Sequence, residues 1–330
     1  MLNNFTKILY NYIERFFLLF ANSFTFFFTY TKKPKFANNF SLFSQDVNNI
    51  HNVSIIIQGP IISKDNFTLE TIKIYKKIFP SHIIILSTWL DQDTFIFDNL
   101  DIVILKNSYP VNYGIHNINL QIISTKNALD YLKNLNIKYV YKTRTDQRIY
   151  TPDTTHYLLN LLNLFPLNND MQKNRLIVLG MNTFKYRLYG ISDMFMFGSF
   201  FDMYNYWNCD LDLRNITIEN INSNSNTIYN YSRLRVCEVW LSTNYQFKLG
   251  RQIKWTLNDS LRFYRDNFII IDKAMLNLYW GKYTYLESKW INYNKQNNLF
   301  QELTFLDWIN LMNANLSNLN EDILNNKYEY

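Results

Sequence analysis

Tyr141-Lys142-Thr143-Arg144-Thr145-Asp146-Gln147-Arg148 closes an apolar run that begins at Ile137 and sets one carboxylate between two guanidiniums. The apolar part, Ile137 to Tyr141, reads as a strand that delivers the charged tip to the carboxyl edge of a sheet. In open α/β sheets ligands bind outside that edge. Arg144, Asp146 and Arg148 suit a diphosphate and the cation that accompanies it, with arginine forks on phosphate oxygens and Asp146 on metal or sugar. Taken alone, the same residues also fit an aspartate capping the next loop and two arginines solvating it. The neighbouring segments decide between the two.

Upstream, Val53-Ser54-Ile55-Ile56-Ile57-Gln58 stops at Gly59-Pro60, as a buried strand ending in a tight turn does, and Gly59 would let backbone approach a ligand. Asn66 to Phe79 has helical spacing at Leu69, Ile72, Ile74, Tyr75 and Ile78, and Pro80 closes it. A second unit starts at His82-Ile83-Ile84-Ile85-Leu86-Ser87 and ends at Thr88-Trp89 before the acidic turn Asp91-Gln92-Asp93. Trp89 can stack on a base, although a tryptophan at a strand end is more often core or rim. Asp101 to Lys106 reads as a third strand, followed by an ordered loop from Asn107 to Gly114. The next helix has an apolar stripe at Ile118, Ile122, Leu129 and Leu132. On another side lie Asn117, Gln121 and Ser124, uncharged groups suited to sugar hydroxyls or a pyrimidine edge. The order β-α-β-β-α-β points to a sheet covered by helices.

Downstream, Thr151-Pro152-Asp153 opens a helix to Pro166, and Arg175 to Gly180 reads as another buried strand. Tyr189-Gly190-Ile191-Ser192-Asp193 leads into the apolar Met194 to Gly198, with Asp193 at the strand's start, where it can bind or deprotonate a hydroxyl or cap the local turn. Asn215 to Tyr231 is rich in Asn, Ser, Ile and Thr and reads as an excursion or flap. A helix spans about Ser232 to Phe247, with Glu238 its only acid and Arg233 or Arg235 available as ion-pair partners. Phe268 to Asp272 is a late strand, and residues 298 to 330 form a helical tail without evident chemistry.

With 330 residues and 48% hydrophobic content the chain can bury a substantial core, and disorder is excluded. Cys209, Cys237 and four scattered histidines make neither a disulfide framework nor a zinc spacing, so a reducing compartment is expected. The formal charge of +6 comes from dispersed basic groups without a Lys/Arg stripe among aromatics, which argues against nucleic acid. No Gly-x-Gly-x-x-Gly, Walker or Gly-x-Ser-x-Gly pattern occurs. Near the amino terminus an uncharged aromatic run, Phe16 to Thr31, is flanked by Lys7 and Arg15 and by Lys32, Lys33 and Lys35. It is shorter than the roughly 20 residues of a bilayer span and lacks a signal-peptide cleavage site. A helix lying in an anionic membrane interface fits it best, with a short span or a helix packed on the main domain as alternatives. Lys33 to Asn52 reads as a linker. The expected division is a membrane-associating segment and linker over 1–40, a catalytic domain over 50–290 and a tail over 291–330.

Ile56-Ile57-Gln58-Gly59-Pro60-Ile61, Leu86-Ser87-Thr88-Trp89, Asn117 to Thr125 and Lys142-Thr143-Arg144-Thr145-Asp146 together resemble the WavE lipopolysaccharide-synthesis family. The likeness continues through Ser192-Asp193-Met194, Glu238 and Trp280-Gly281-Lys282-Tyr283, about residues 53 to 290. It implies a GT-A-like, Rossmann-like α/β fold that binds a nucleotide-sugar, and a glycosyltransferase of bacterial surface glycan assembly. Gln58, Gly59, Pro60 and Trp89 would then line the nucleotide pocket, with Asn117 and Gln121 near the sugar or base. Asp146 would stand where such enzymes place the last acid of an Asp-x-Asp motif. Arg144 occupies the first acid position, so the motif offers one carboxylate to Mg²⁺ or Mn²⁺. Either phosphate and water complete the shell, or Arg144 and Arg148 replace the cation. One carboxylate is needed to deprotonate the acceptor hydroxyl, with Glu238 the first choice and Asp193 the second. Lys282 would close over the diphosphate leaving group, unless it is a surface lysine. The expected partners are a nucleotide-sugar donor, a lipid-linked or oligosaccharide acceptor and the cytoplasmic surface of a bacterial inner membrane. A non-catalytic membrane scaffold for glycan-lipid intermediates and a sugar nucleotidyltransferase are the rival classes. The lack of a Gly-rich loop near the first strand counts against the latter.

Overall fold

The computed structural model describes residues 33–42, 50–167, 171–216, 227–281 and 301–327, with positions 9, 12, 13, 15 and 16 before them. The chain divides into two compact units, Met1–Pro34 and Lys35–Tyr330. Beyond Phe16, the aromatic run to Thr31 lies outside the described residues, as do Lys282 and most of the expected flap, 217–226. Among the described residues no helix is long and apolar enough to cross a membrane.

The larger unit is built on β1 (Val53–Gln58), β2 (Ile83–Trp89), β3 (Val103–Asn107), β4 (Tyr139–Arg144), β6 (Leu176–Leu179), β7 (Met196–Ser199) and β8 (Phe268–Ile271). They form a seven-stranded sheet in the order β3-β2-β1-β4-β7-β6-β8. β1 runs parallel to β2 and β4, while β7 is antiparallel to both β4 and β6. Every residue of β1, β6, β7 and β8 is buried, which is why these strands read as continuous apolar runs rather than alternating ones. A two-stranded antiparallel ribbon joins β5 (Gln147–Arg148) to β9 (Tyr279–Trp280). The fold is thus a mixed α/β architecture with a largely parallel central sheet flanked by helices.

The fourth strand starts two residues later than its apolar pattern suggests and continues through Lys142, Thr143 and Arg144. Its ladder with β1 pairs Gln58 with Arg144, so backbone pairing carries charged side chains into the sheet. The helices are α1 (Phe67–Ile78), α2 (Ile118–Leu132), α3 (Thr154–Leu164), α4 (Phe200–Trp207), α5 (Ile228–Arg233), α6 (Glu238–Lys248), α7 (Leu257–Asn267) and α8 (Phe305–Asn313). α4 and α7 were not anticipated, yet each opens on a side-chain cap: Ser199 accepts from the Asp202 amide and Thr256 from the Asp259 amide, both at 3.1 Å. The helix expected over 232–247 is broken, because Arg235 and Cys237 take positive φ values of 50° and 39° and α6 begins only at Glu238.

Two segments expected at the margins are integral to the larger unit. In the linker, Ala37 is buried, its amide donates to Glu70 at 2.6 Å and its carbonyl accepts from Lys77. In the tail, Leu303 and Trp308 are buried, and Glu321 accepts from the amides of Leu257 and Asn258 at the start of α7.

Arg148 decides how β5 sits, and its environment corrects its expected role in phosphate binding. It is 1% exposed. Its guanidinium donates to Thr71 Oγ1 at 2.8 Å, the Lys35 carbonyl at 2.7 Å, the Phe67 carbonyl at 2.9 Å and the Tyr150 hydroxyl at 3.0 Å, and lies 4.3 Å from the Phe67 ring centroid. A planar donor fork satisfies this many fixed acceptors at once; a lysine does not. Arg148 therefore ties α1, the 35–37 segment and β5 together. Arg148→Met should lower the free energy of urea unfolding by about 2–4 kcal/mol, since it leaves buried acceptors unpaired. Unchanged stability together with lost nucleotide affinity would return Arg148 to the ligand site.

Candidate active site

The parallel pair β1–β4 brings Gln58 and Arg144 to the carboxyl edge, and antiparallel β7 enters beside them because its first residue, Met196, pairs with Lys142. Asp193 is thereby carried to the same edge. Lys142 is fully buried there. Its ammonium donates to the Asp193 carbonyl and, at 3.2 Å, to Gln121 Oε1 on α2, and lies 4.6 Å from the Trp207 ring centroid on α4. Burial pulls its pKa from 10.5 down to about 8, opposed by the nearby charge of Asp193.

Arg144 and Asp146 form a closed fork: Nε donates to Oδ1 at 2.9 Å and the terminal nitrogen to Oδ2 at 3.1 Å. Trp280 Nε1 donates to Oδ2 as well, at 2.9 Å, and its ring faces the guanidinium at 5.7 Å. Burial raises the Asp146 pKa, but the arginine and the indole N–H outweigh it and hold the carboxyl below its ordinary range. The β5–β9 ribbon is what places Trp280 here.

Two more carboxylates stand close by. Asp193 is 3% exposed, and among the described residues its Oδ2 has no hydrogen-bond partner. Glu238, first residue of α6, accepts from Asn182 Nδ2 and lies 3.8 Å from the Arg187 guanidinium. Both act on the same neighbours: burial pushes the Cys237 thiol and the Tyr206 hydroxyl far up, and Glu238 and Asp193 push each further. The turn that delivers Glu238 is strained at Cys237, φ 39° and ψ −100°. It is clamped by Trp240, whose ring has Arg214 at 4.6 Å and Arg235 at 4.4 Å. Arg214 also forks onto Asp212, at 2.8 and 2.9 Å.

The remaining sequence candidates fall into different roles. Gln58 Oε1 accepts from Ser124 Oγ at 3.0 Å, and a buried chain continues from the Ser124 carbonyl to Ser87 and Asn107, so part of the polar face of α2 locks β1, β2 and β3 to that helix. Gly59 has φ 126°, and a Cβ there would lie 2.8 Å from Thr145 Oγ1, so the close approach it permits is to the 144–146 turn. Pro60 and Asn117 are exposed at this edge. Trp89 is buried and stacked on Tyr109, with ring centroids 4.7 Å apart and planes at 16°. The rings offered to solvent are instead Tyr109, 41% exposed, and Tyr113, 46% exposed. The loop residues Tyr109 and Tyr113 carried no signal of their own in the sequence, and Lys142 was legible only as part of its motif.

The donor set does not fit a resident divalent cation at Asp146. Both of its oxygens are engaged by Arg144 and Trp280, and no group of three or more His, Cys, Asp or Glu able to hold a metal exists among the described residues.

Among solved structures, the chain is similar to one described as a glucose-1-phosphate thymidylyltransferase from Bacillus anthracis in complex with a sucrose, at 12% identity over 61% of this chain and 96% of that one, TM-score 0.31. It is also similar to a cytidylyltransferase from Leptospira borgpetersenii serovar Hardjo-bovis, at 14% identity over 85% of this chain and 100% of that one, TM-score 0.30. At such scores the topology rests on the strand order above. No curated protein matches the chain. The model of the family described as WavE lipopolysaccharide synthesis matches residues 53–330, from the first residue of β1 through α8 and beyond, and the chain belongs to that family.

Proposed function

We propose that the protein is a glycosyltransferase with a GT-A-like site, moving a sugar from a nucleotide-sugar donor onto a lipopolysaccharide, lipooligosaccharide or capsule precursor. Asp193 supports this reading: it is a buried carboxylate beside the Lys142 ammonium, and its Oδ2 has no hydrogen-bond partner among the described residues, which suits a base that takes a proton from a hydroxyl. It replaces Glu238 as first choice, because Glu238 is already engaged by Asn182 and Arg187. The acceptor hydroxyl gives its proton to Asp193 Oδ2 as its oxygen attacks the anomeric carbon. The bond from that carbon to the diphosphate breaks, and its electron pair leaves with the nucleoside diphosphate.

Arg144 meets the charge that develops on the leaving diphosphate, as a preorganised donor fork does without reorganising. Asp146 and Trp280 orient that fork. Lys142 sets the Asp193 main chain through its carbonyl and adds positive potential beneath the site. Tyr109 and Tyr113, at the end of β3, offer ring faces to the nucleobase. Peripheral attachment to the cytoplasmic face of the inner membrane is proposed for the basic-flanked aromatic run Phe16 to Thr31, supported by its composition.

The test is turnover of the purified full chain with a panel of nucleotide-sugars and a deacylated lipopolysaccharide acceptor. Asp193→Asn should lower turnover by about 10²–10⁴-fold while donor affinity holds, the range for removal of a general base. Glu238→Gln should cost much less; the reverse ranking would restore Glu238 as base. Pyrophosphate release from a nucleoside triphosphate and a sugar phosphate would point to a nucleotidyltransferase, and donor-independent binding of glycan-lipid with no turnover to a scaffold.

Excess EDTA should leave activity with the cognate donor unchanged, whereas loss restored by Mg²⁺ or Mn²⁺ would make Asp146 a metal ligand. A further outcome follows from Lys142. Its folded pKa of about 8 lies below the ordinary 10.5, so between those values the unfolded chain holds a proton that the native protein has released. Stability from this group therefore rises with pH across that window. The urea-unfolding free energy of the wild type relative to Lys142→Met should increase from about pH 8 to pH 10; a flat difference would show that the ammonium is not held in a desolvated site.

A further inference from the structure

The amino edge of the sheet, opposite the carboxylates, carries a groove of about 630 Å³ where β4 and α4 begin and β7 ends. That volume lies within the range of small-molecule sites. Its aromatic residues are Tyr139, Phe200, Phe201, which is 43% exposed, and Tyr204. Lys173 lies 5.4 Å from the Phe201 ring centroid and Lys133 5.2 Å from that of Tyr204, and Lys138 is the third cation of the lining. Asn174 and Asn205 add amides.

No acid lines the groove among the described residues. Two neighbouring carboxylates are engaged: Asp130 pairs with Lys126 at 2.5 Å and accepts from the Tyr204 hydroxyl at 2.9 Å. Asp202 is buried and accepts from the amides of Lys173 and Asn174 at 3.0 and 2.9 Å, which fixes that wall. Three exposed lysines, none ion-paired to an acid among the described residues although Lys133 and Lys173 lie in the fields of Asp130 and Asp202, surround rings and amides in a concavity lined by cations. Rings stack on the apolar face of a sugar, amides bind its hydroxyls, and ammonium groups need phosphate or carboxylate oxygens.

We propose that this groove is a second, non-catalytic site for an anionic saccharide, one bearing phosphate groups. β4 spans six residues, so the groove lies about 20 Å from the carboxyl edge at roughly 3.3 Å per residue. Its occupancy is independent of donor binding by Arg144.

The experiment is calorimetric titration of the full chain with deacylated, phosphorylated lipopolysaccharide core oligosaccharide, with the same oligosaccharide after dephosphorylation, and with inorganic phosphate. The phosphorylated oligosaccharide should bind at least 10-fold more tightly than either control. The double variant Lys133→Ala/Lys173→Ala and the single variant Phe201→Ala should each lose at least 10-fold in affinity with unchanged melting temperature, as exposed residues allow. Arg144→Ala should retain full affinity. Absence of binding, equal affinity for the dephosphorylated oligosaccharide, equal affinity for inorganic phosphate, or loss in Arg144→Ala but not in the groove variants would each overturn the proposal. Because Arg144→Ala separates the two ends of the sheet, failure here leaves the glycosyl-transfer reading untouched.

Discussion

The ammonium of Lys142 sits at the end of a central strand with its solvation replaced by a carbonyl, an amide oxygen and an indole face, and by no carboxylate within ion-pair distance among the described residues. Removing such a charge from water is costly, so each replacement dipole must be held where it is needed. The three come from three elements: the approach to β7, helix α2 and helix α4. One buried cation thus fixes the positions of the groups that frame the carboxyl edge. It also holds the Asp193 main chain through its carbonyl, while the side-chain Oδ2 has no hydrogen-bond partner among the described residues.

Around that cation the acids divide into two kinds. Asp146 is neutralised in a two-point fork by Arg144 and further engaged by Trp280, which suits orientation of a guanidinium better than ligation of a metal. Asp193 and Glu238 lie on segments that the fold constrains by other means: Asp193 by Lys142, Glu238 by a strained turn clamped through the Arg214–Trp240–Arg235 stack. A residue held at an unfavourable backbone geometry persists only where its surroundings overdetermine it, and here those surroundings are two guanidiniums against the Trp240 ring and a helix start. The site is built of preorganised side chains, and the ribbon β5–β9 closes it by bringing residues 147 and 280 together.

Arg144 and Arg148 show how little residue type alone reveals. Both flank Asp146 and both read as phosphate ligands. Arg144 ends a strand at the sheet's edge, partly open to solvent at 24% side-chain exposure. Arg148, on the far side of the turn, packs inward among acceptors from α1 and the 35–37 segment. The difference is set by a two-residue strand whose partner lies more than 130 positions away, a pairing that no local pattern encodes.

The apolar runs by themselves determined the strands β1, β2, β6 and β8 and the helices α1, α2 and α3 closely, because a fully buried strand and an amphipathic helix each write their environment into the order of side chains. The same local chemistry located the charged tip at a strand end and carried the motifs of the WavE family. Short caps at Ser199 and Thr256 were legible but weak, being single side-chain bonds at the start of helices of 8 and 11 residues. What the tertiary structure alone decided is which charges meet. The antiparallel entry of β7 brought Asp193 to Lys142, the ribbon brought Trp280 to Asp146, the broken helix turned Glu238 towards Arg187, and Tyr109 covered Trp89. Electrostatic partnership depends on distance in space, while sequence pattern records only the local periodicity of burial.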